Sequence, residues 1–134
     1  KQNAPKNDLG WEIYPEGLFR CANDLYKVLE RPIYITENGT CDNEDAFRSK
    51  YIYEHLKVIH ESRLPITRYY HWCFCDNFEW IEGESARFGL VHVNYETQER
   101  TIKSSGKFFT RMIEENGISE DLYKEYVKPQ IYHY

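Results

Sequence analysis

Residues 32–40 read PIYITENGT, a β-branched and aromatic run that ends on a carboxylate, Glu37, followed at once by Asn38 and Gly39. Ile33, Tyr34, Ile35 and Thr36 favour an extended, buried strand, and the Asn-Gly pair breaks it. Glu37 therefore falls where a strand passes into a loop. In a β/α barrel that position is the functional rim, because the loops at the carboxyl ends of the strands build the site. An Asn-Gly hairpin is the competing reading. It needs a second strand directly after the turn, whereas residues 40–46, TCDNEDA, are polar, acidic and better suited to opening a helix.

Working outward, Pro15 and Glu16 suit the first turn of a helix, and Leu18, Ala22, Leu25 and Leu29 recur as one apolar stripe. The expected helix covers 15–30 and the expected strand 32–37. A second helix is expected over 44–63, with Glu44 and Asp45 in its first turn, where the helix dipole favours anions. Its inner face would be Phe47, Tyr51, Ile52, Leu56 and Ile59, and Pro65 stops it. Residues 66–75, ITRYYHWCFC, read as a second strand, nearly continuous in bulky residues, as in parallel sheets covered on both faces. Helix, strand, helix, strand is the order of a parallel βαβ unit with a right-handed crossover. A hairpin over 88–102 with a polar tip at 94–99, a helix over 103–116 capped by Ser104 or Ser105 and closed by Asn116-Gly117, and a short helix over 119–127 capped by Ser119 complete the expected α/β domain, 1–134.

Composition narrows the function classes. The 134 residues include 41% hydrophobic residues, enough for one modest core but short of the roughly 250 residues of a whole β/α barrel. A formal net charge of -5 offers no electrostatic reason to bind nucleic acid or an anionic membrane. No apolar run approaches the roughly 20 residues that span a bilayer, and residues 1–17 lack the apolar core of a secretory signal. Cys21, Cys41, Cys73 and Cys75 sit in helix, loop and strand contexts and read as free thiols, so a cytoplasmic protein is expected. No metal-ligand spacing involves His55, His60, His71 or His92, and no phosphate loop is present, so neither metal nor cofactor is expected.

The other informative segment is CDNFEWIEGESARFGL, residues 75–90, which leaves the second strand at the same rim as Glu37. Asp76, Glu79, Glu82 and Glu84 alternate there with Phe78, Trp80 and Phe88, close to Trp72 and Phe74. Carboxylates accept paired hydrogen bonds from sugar hydroxyls, and flat rings cover the apolar face of a sugar. A capped loop with solvated acids and packed rings is the plain structural alternative.

With these residues in view the chain resembles glycoside hydrolase family 1, the retaining β-glucosidases and β-galactosidases. PIYITENG is similar to the family's nucleophile strand, DNFEW (76–80) to its sugar-binding loop, and RFGLVHVNYETQERTIK (87–103) to its hairpin; the likeness runs from GWEIYPEGL (10–18) to GKFFTRMI (106–113). It implies the C-terminal part of a (β/α)8 barrel, sixth helix through eighth helix, incomplete as a single chain. It further implies Glu37 as the catalytic nucleophile and Trp72 as the platform under the sugar. Glu79 would hold the 4- and 6-hydroxyls, Trp80 would donate to the 3-hydroxyl, and Phe88 would line the pocket. A cis peptide bond is implied between Trp72 and Cys73.

Two departures qualify that resemblance. Retaining chemistry needs a second carboxyl about 5 to 5.5 Å from the first; the family carries it in an Asn-Glu-Pro motif, which this sequence lacks, so the chain alone is expected to be inactive. The branch acting on 6-phosphorylated sugars has serine where Glu79 stands, with lysine and tyrosine near Ala86 and Phe88, so an unphosphorylated β-glucoside or β-galactoside is the expected substrate. The expected partners are the missing N-terminal portion of the barrel or further copies of the chain, recruited by open sheet edges. A noncatalytic carbohydrate- or protein-binding α/β unit is the rival from a different class.

Overall fold

The computed structural model describes residues 3–134. Helix α1, Pro15–Leu29, begins with proline at its first turn, where a missing N–H costs nothing, and ends at Glu30 in a left-handed conformation. Strand β1, Ile33–Asn38, pairs in parallel with β2, Ile66–His71, through the connecting helix α2, Arg48–Ser62. Strands β3, Val91–Val93, and β4, Arg100–Ile102, form a separate antiparallel hairpin. Helix α3, Ser104–Glu114, a single turn α4, Glu120–Leu122, and a wide turn over Tyr123–Val127 follow.

Helices α1 and α2 cover one face of the two-stranded sheet, where Ala22, Ile33 and Ile35 are buried against Leu18, Tyr26, Ile59 and Ile66. A second core joins α2, α3 and the C-terminal segment through Phe47, Ile52, Phe108, Leu122 and Val127. The other sheet face is open: Tyr34, Thr36, Arg68 and Tyr70 are exposed. The bulky run in β2 is thus covered on one face within this chain, not two, because no described element lies across the other. Along α1 the stripe is only partly used: Ala22 is buried, but Leu25 and Leu29 are half exposed beyond the reach of α2.

Several boundaries differ from the sequence reading for local reasons. Helix α2 starts at Arg48 rather than at 44, since Asp45 adopts a left-handed φ of 56° and the Asp42 carboxylate takes the Ala46 and Phe47 N–H groups instead of capping a helix there. Strand β2 stops at His71 instead of running to 75. The Trp72–Cys73 bond is cis, and the chain beyond it changes partner, with Cys73, Phe74 and Asp76 bonding to the backbone of 88–91. That exchange also removes residues 88–90 from the hairpin, whose tip is closed by Asn94 accepting from Glu96 and Thr97 N–H. Lys103, not Ser104 or Ser105, precedes α3, because Ser105 donates to Asp45. Asn116, with φ 50°, closes the C-terminal end of α3, where Gly117 N–H bonds to Met112 O. Ser119 caps α4 by accepting from Leu122 N–H, but the turn then widens, with Lys128 N–H reaching Tyr123 O, so 119–127 is not one regular helix.

Candidate active site

Parallel pairing sends β1 and β2 out of the sheet on the same side, so Glu37 and Trp72 leave adjacent strands at one edge. The last register pair is Asn38 with His71, and Trp72 N–H donates to Asn38 O at 2.9 Å. Gly39 closes the approach, since a Cβ on it would lie 1.7 Å from the Trp72 carbonyl oxygen; no side chain fits.

Glu37 is exposed because β1 carries an extra residue. Ile35 pairs with Tyr69 and Asn38 with His71, so three residues of β1 span two of β2. Strict alternation would put Glu37 on the buried side with Ile33 and Ile35. The bulge re-aims it, and it is exposed together with Tyr34 and Thr36. Asn38 is held by Tyr69 Oη at 2.9 Å and itself donates to Tyr51 Oη at 3.2 Å, which anchors the strand end just beyond Glu37. Burial pushes the Tyr51 phenol up to about 12 and raises Tyr69 as well, so both remain neutral hydrogen-bonding posts.

Beneath the rim, Cys41, Cys73, Ala86 and Phe88 form a buried cluster against which Trp72 and Leu9 pack. Phe88 is 3% exposed and Trp11 lies over it, ring centroids 6.0 Å apart. Trp72 is partly buried, whereas Phe74, Phe78 and Trp80 project from the loop, Trp80 at 81% exposure with φ 47°. Glu79 is partly buried; its N–H donates to Gly83 O at 2.7 Å, and its Oε2 is buried without a partner among the described residues. Trp72 and Phe88 therefore share a core, Glu37 stands at the same sheet edge, and Glu79 and Trp80 occupy the loop above.

Asp76 does not belong with the ligand-facing acids of the sequence reading. Its buried carboxylate accepts from Lys103 Nζ at 2.8 Å and Gly89 N–H at 2.9 Å, with Arg87 Nη1 at 3.4 Å, and so fastens the loop to the hairpin. Glu82 and Glu84 are solvated. All four thiols are free, and the two buried ones are unsuited to nucleophilic work, since burial pushes Cys41 up to about 11 and Cys73 up to about 12. Among the described residues no group of three His, Cys, Asp or Glu side chains could hold a metal ion, and no helix is long and apolar enough to cross a membrane.

The sequence reading missed Asn38, Trp11 and Arg48. A signal for Arg48 existed: it lies four residues before Ile52 and seven before His55, on the buried side of α2.

The model of glycosyl hydrolase family 1 matches residues 1–118. A β-glucosidase from Agrobacterium sp. is 42% identical over 119 residues, covering 80% of this chain and 26% of that protein. A β-galactosidase from Pyrococcus woesei is 36% identical over 132 residues, covering 96% and 26%. The crystal structure of a hyperthermophilic β-glucosidase from Pyrococcus furiosus superposes with a TM-score of 0.86 at 36% identity, over 95% of this chain and 29% of that one. This chain spans between 25% and 30% of the length of the curated relatives it matches.

Proposed function

The chain belongs to glycosyl hydrolase family 1, and from that premise we propose that it supplies the nucleophile and part of the sugar site of a retaining β-glycosidase acting on unphosphorylated β-glucosides or β-galactosides. In this reading residues 15–75 are the sixth helix, seventh strand, seventh helix and eighth strand of a (β/α)8 barrel, and α3 is its eighth helix. A Glu37 carboxylate oxygen attacks the anomeric carbon, and the glycosidic bond breaks with its electron pair leaving on the aglycone oxygen. That oxygen takes a proton from an acid/base carboxyl outside this chain, and water later releases the sugar from Glu37. Trp72 carries the sugar face, Glu79 and Trp80 bind its hydroxyls, and Phe88 backs the pocket.

One observation carries the reading: the bulge in β1 turns Glu37 outward at the edge where the parallel partner strand delivers Trp72. The unpaired, buried Glu79 Oε2 supports it, as an acceptor available to a hydroxyl-rich ligand. Lacking both an acid/base carboxyl and the remaining sugar contacts of the first six strands, the isolated chain is inactive and works with the N-terminal portion of the barrel.

The test is a 2-deoxy-2-fluoroglucoside bearing a dinitrophenolate leaving group, which needs no protonation, followed by peptide mass spectrometry. Glu37 is expected to carry the fluorosugar when the chain is assembled with the N-terminal portion, and not when the chain is alone. A folded, active assembly whose label sits elsewhere, or which takes none, removes Glu37 from the role and favours the noncatalytic binding unit.

A further inference from the structure

Arg48 is fully buried at the start of α2, and its guanidinium has five N–H donors. All five meet acceptors. Nη1 donates to Thr40 O at 2.7 Å and Phe88 O at 3.0 Å; Nη2 donates to Asp42 O and to Arg87 O at 3.0 Å; Nε donates to Asp45 Oδ1 at 3.0 Å. The four carbonyls belong to two segments far apart in sequence, the loop that follows Glu37 and the stretch that ends on Phe88. The Phe88 oxygen also accepts from Cys73 N–H at 3.1 Å, directly after Trp72. One cation therefore sets three backbones in register.

From this geometry we propose that Arg48 is a positioning residue, fixing where Glu37 stands relative to Trp72 and Phe88 without touching substrate. The proposal rests on the reading of Glu37 as nucleophile. A planar fork at a fixed depth holds carbonyls in defined directions, which an ammonium on a flexible stem does not reproduce. Asp45 strengthens the placement: its carboxylate also accepts from Ser105 N–H and Oγ–H, so the guanidinium is referenced to α3 as well as to its own helix. Other ties across the same gap, Asp42 N–H to Arg87 O at 3.0 Å and Arg87 N–H to Asn43 Oδ1 at 3.0 Å, keep the loops together without Arg48 but do not hold the Thr40 carbonyl, and they leave the Phe88 carbonyl to Cys73 N–H alone. Displacement of a reacting group by about 1 Å costs on the order of 100-fold in rate.

Arg48→Lys and Arg48→Gln in the chain assembled with the N-terminal portion test this, each read independently so that failure of one to fold leaves the other to decide. The probe is the same fluoroglucoside, and the inactivation rate constant is separated from the inhibitor dissociation constant. Either variant is expected to label Glu37 about 10- to 100-fold more slowly, with binding of the probe changed by less than about threefold. Backbone hydrogen exchange is expected to quicken at 40–42 and 87–88 while α2 stays protected. Labelling at the unaltered rate, or loss of binding and rate in equal proportion, overturns the positioning role while leaving the nucleophile reading intact. Absence of label on Glu37 in the unsubstituted assembly overturns both.

Discussion

Glu79 and the buried histidines carry the sharpest single-residue consequences. A carboxylate oxygen buried without a partner costs about 1–3 kcal/mol and is an acceptor held ready for a hydroxyl. Glu79→Lys in the assembled enzyme is expected to lower kcat/KM on a neutral aryl glucoside by about 100-fold, because a site built to accept hydroxyl protons then offers only donors. Unchanged turnover of the neutral substrate would take the hydroxyl-binding role from this residue. His55 stacks on Tyr51 at 3.8 Å, and burial pushes its imidazole down to about 4. Burial, with the Arg48 cation, pushes His71 down to about 3, although the Phe88 backbone opposes this. With both folded values below the unfolded value near 6.5, the stability they contribute is fully present above pH 6.5. It is lost as pH falls toward 4 and then 3, by roughly 3 kcal/mol for His55 and roughly 5 kcal/mol for His71. Urea midpoints measured from pH 7 to pH 3.5 should fall accordingly, and His55→Phe together with His71→Leu should flatten that slope. A slope the double variant does not change would mean that other groups drive the acid sensitivity.

Among the elements, the loop over 75–90 depends on one buried acid. Asp76 gathers Lys103, Arg87 and two strand-adjacent N–H groups, and burial pushes the Lys103 ammonium below its usual range although Asp76 opposes this. Asp76→Asn keeps the shape and removes the charge, leaving Lys103 buried without its counter-ion. The expected loss is about 3 kcal/mol, with hydrogen-exchange protection falling first in β3 and β4; a stability within about 0.5 kcal/mol of the parent would refute the anchoring role. Much at this level was readable from side-chain pattern: the parallel strand pair, its connecting helix and the hairpin follow from Ile33 to Ile35, Phe47 to Ile52 and Val91 to Ile102. Boundaries were not. The left-handed Asp45 and the partner exchange after Trp72 arise because a side chain or backbone group found a distant partner, Ser105 for Asp45 and residues 88–91 for Cys73 and Asp76, whereas the turn at Tyr123 widens through a local bond from Lys128 N–H to Tyr123 O.

Taken whole, the chain presents a two-stranded sheet with one face bare and both outer edges without a strand among the described residues. Such edges template pairing with other chains. Alone, it is expected to associate with itself at concentrations on the order of 100 µM in sedimentation equilibrium, and to give up that association for the N-terminal portion of the barrel. A strictly monomeric chain would show that the bare face tolerates water. The order of elements lay in the apolar stripes and runs between Pro15 and Gly117, and the nucleophile candidate at a strand's end, the aromatic loop and the family itself lay in PIYITENG, DNFEW and RFGLVHVNYETQERTIK, since such features depend on residue type and short spacing alone. Which way Glu37 faces, that Asp76 is structural while Glu79 is left unpaired, and that Arg48 binds two remote loops were decided only in three dimensions. A one-residue bulge and a buried cation's choice of carbonyls depend on contacts between segments tens of residues apart, and local pattern holds no record of them.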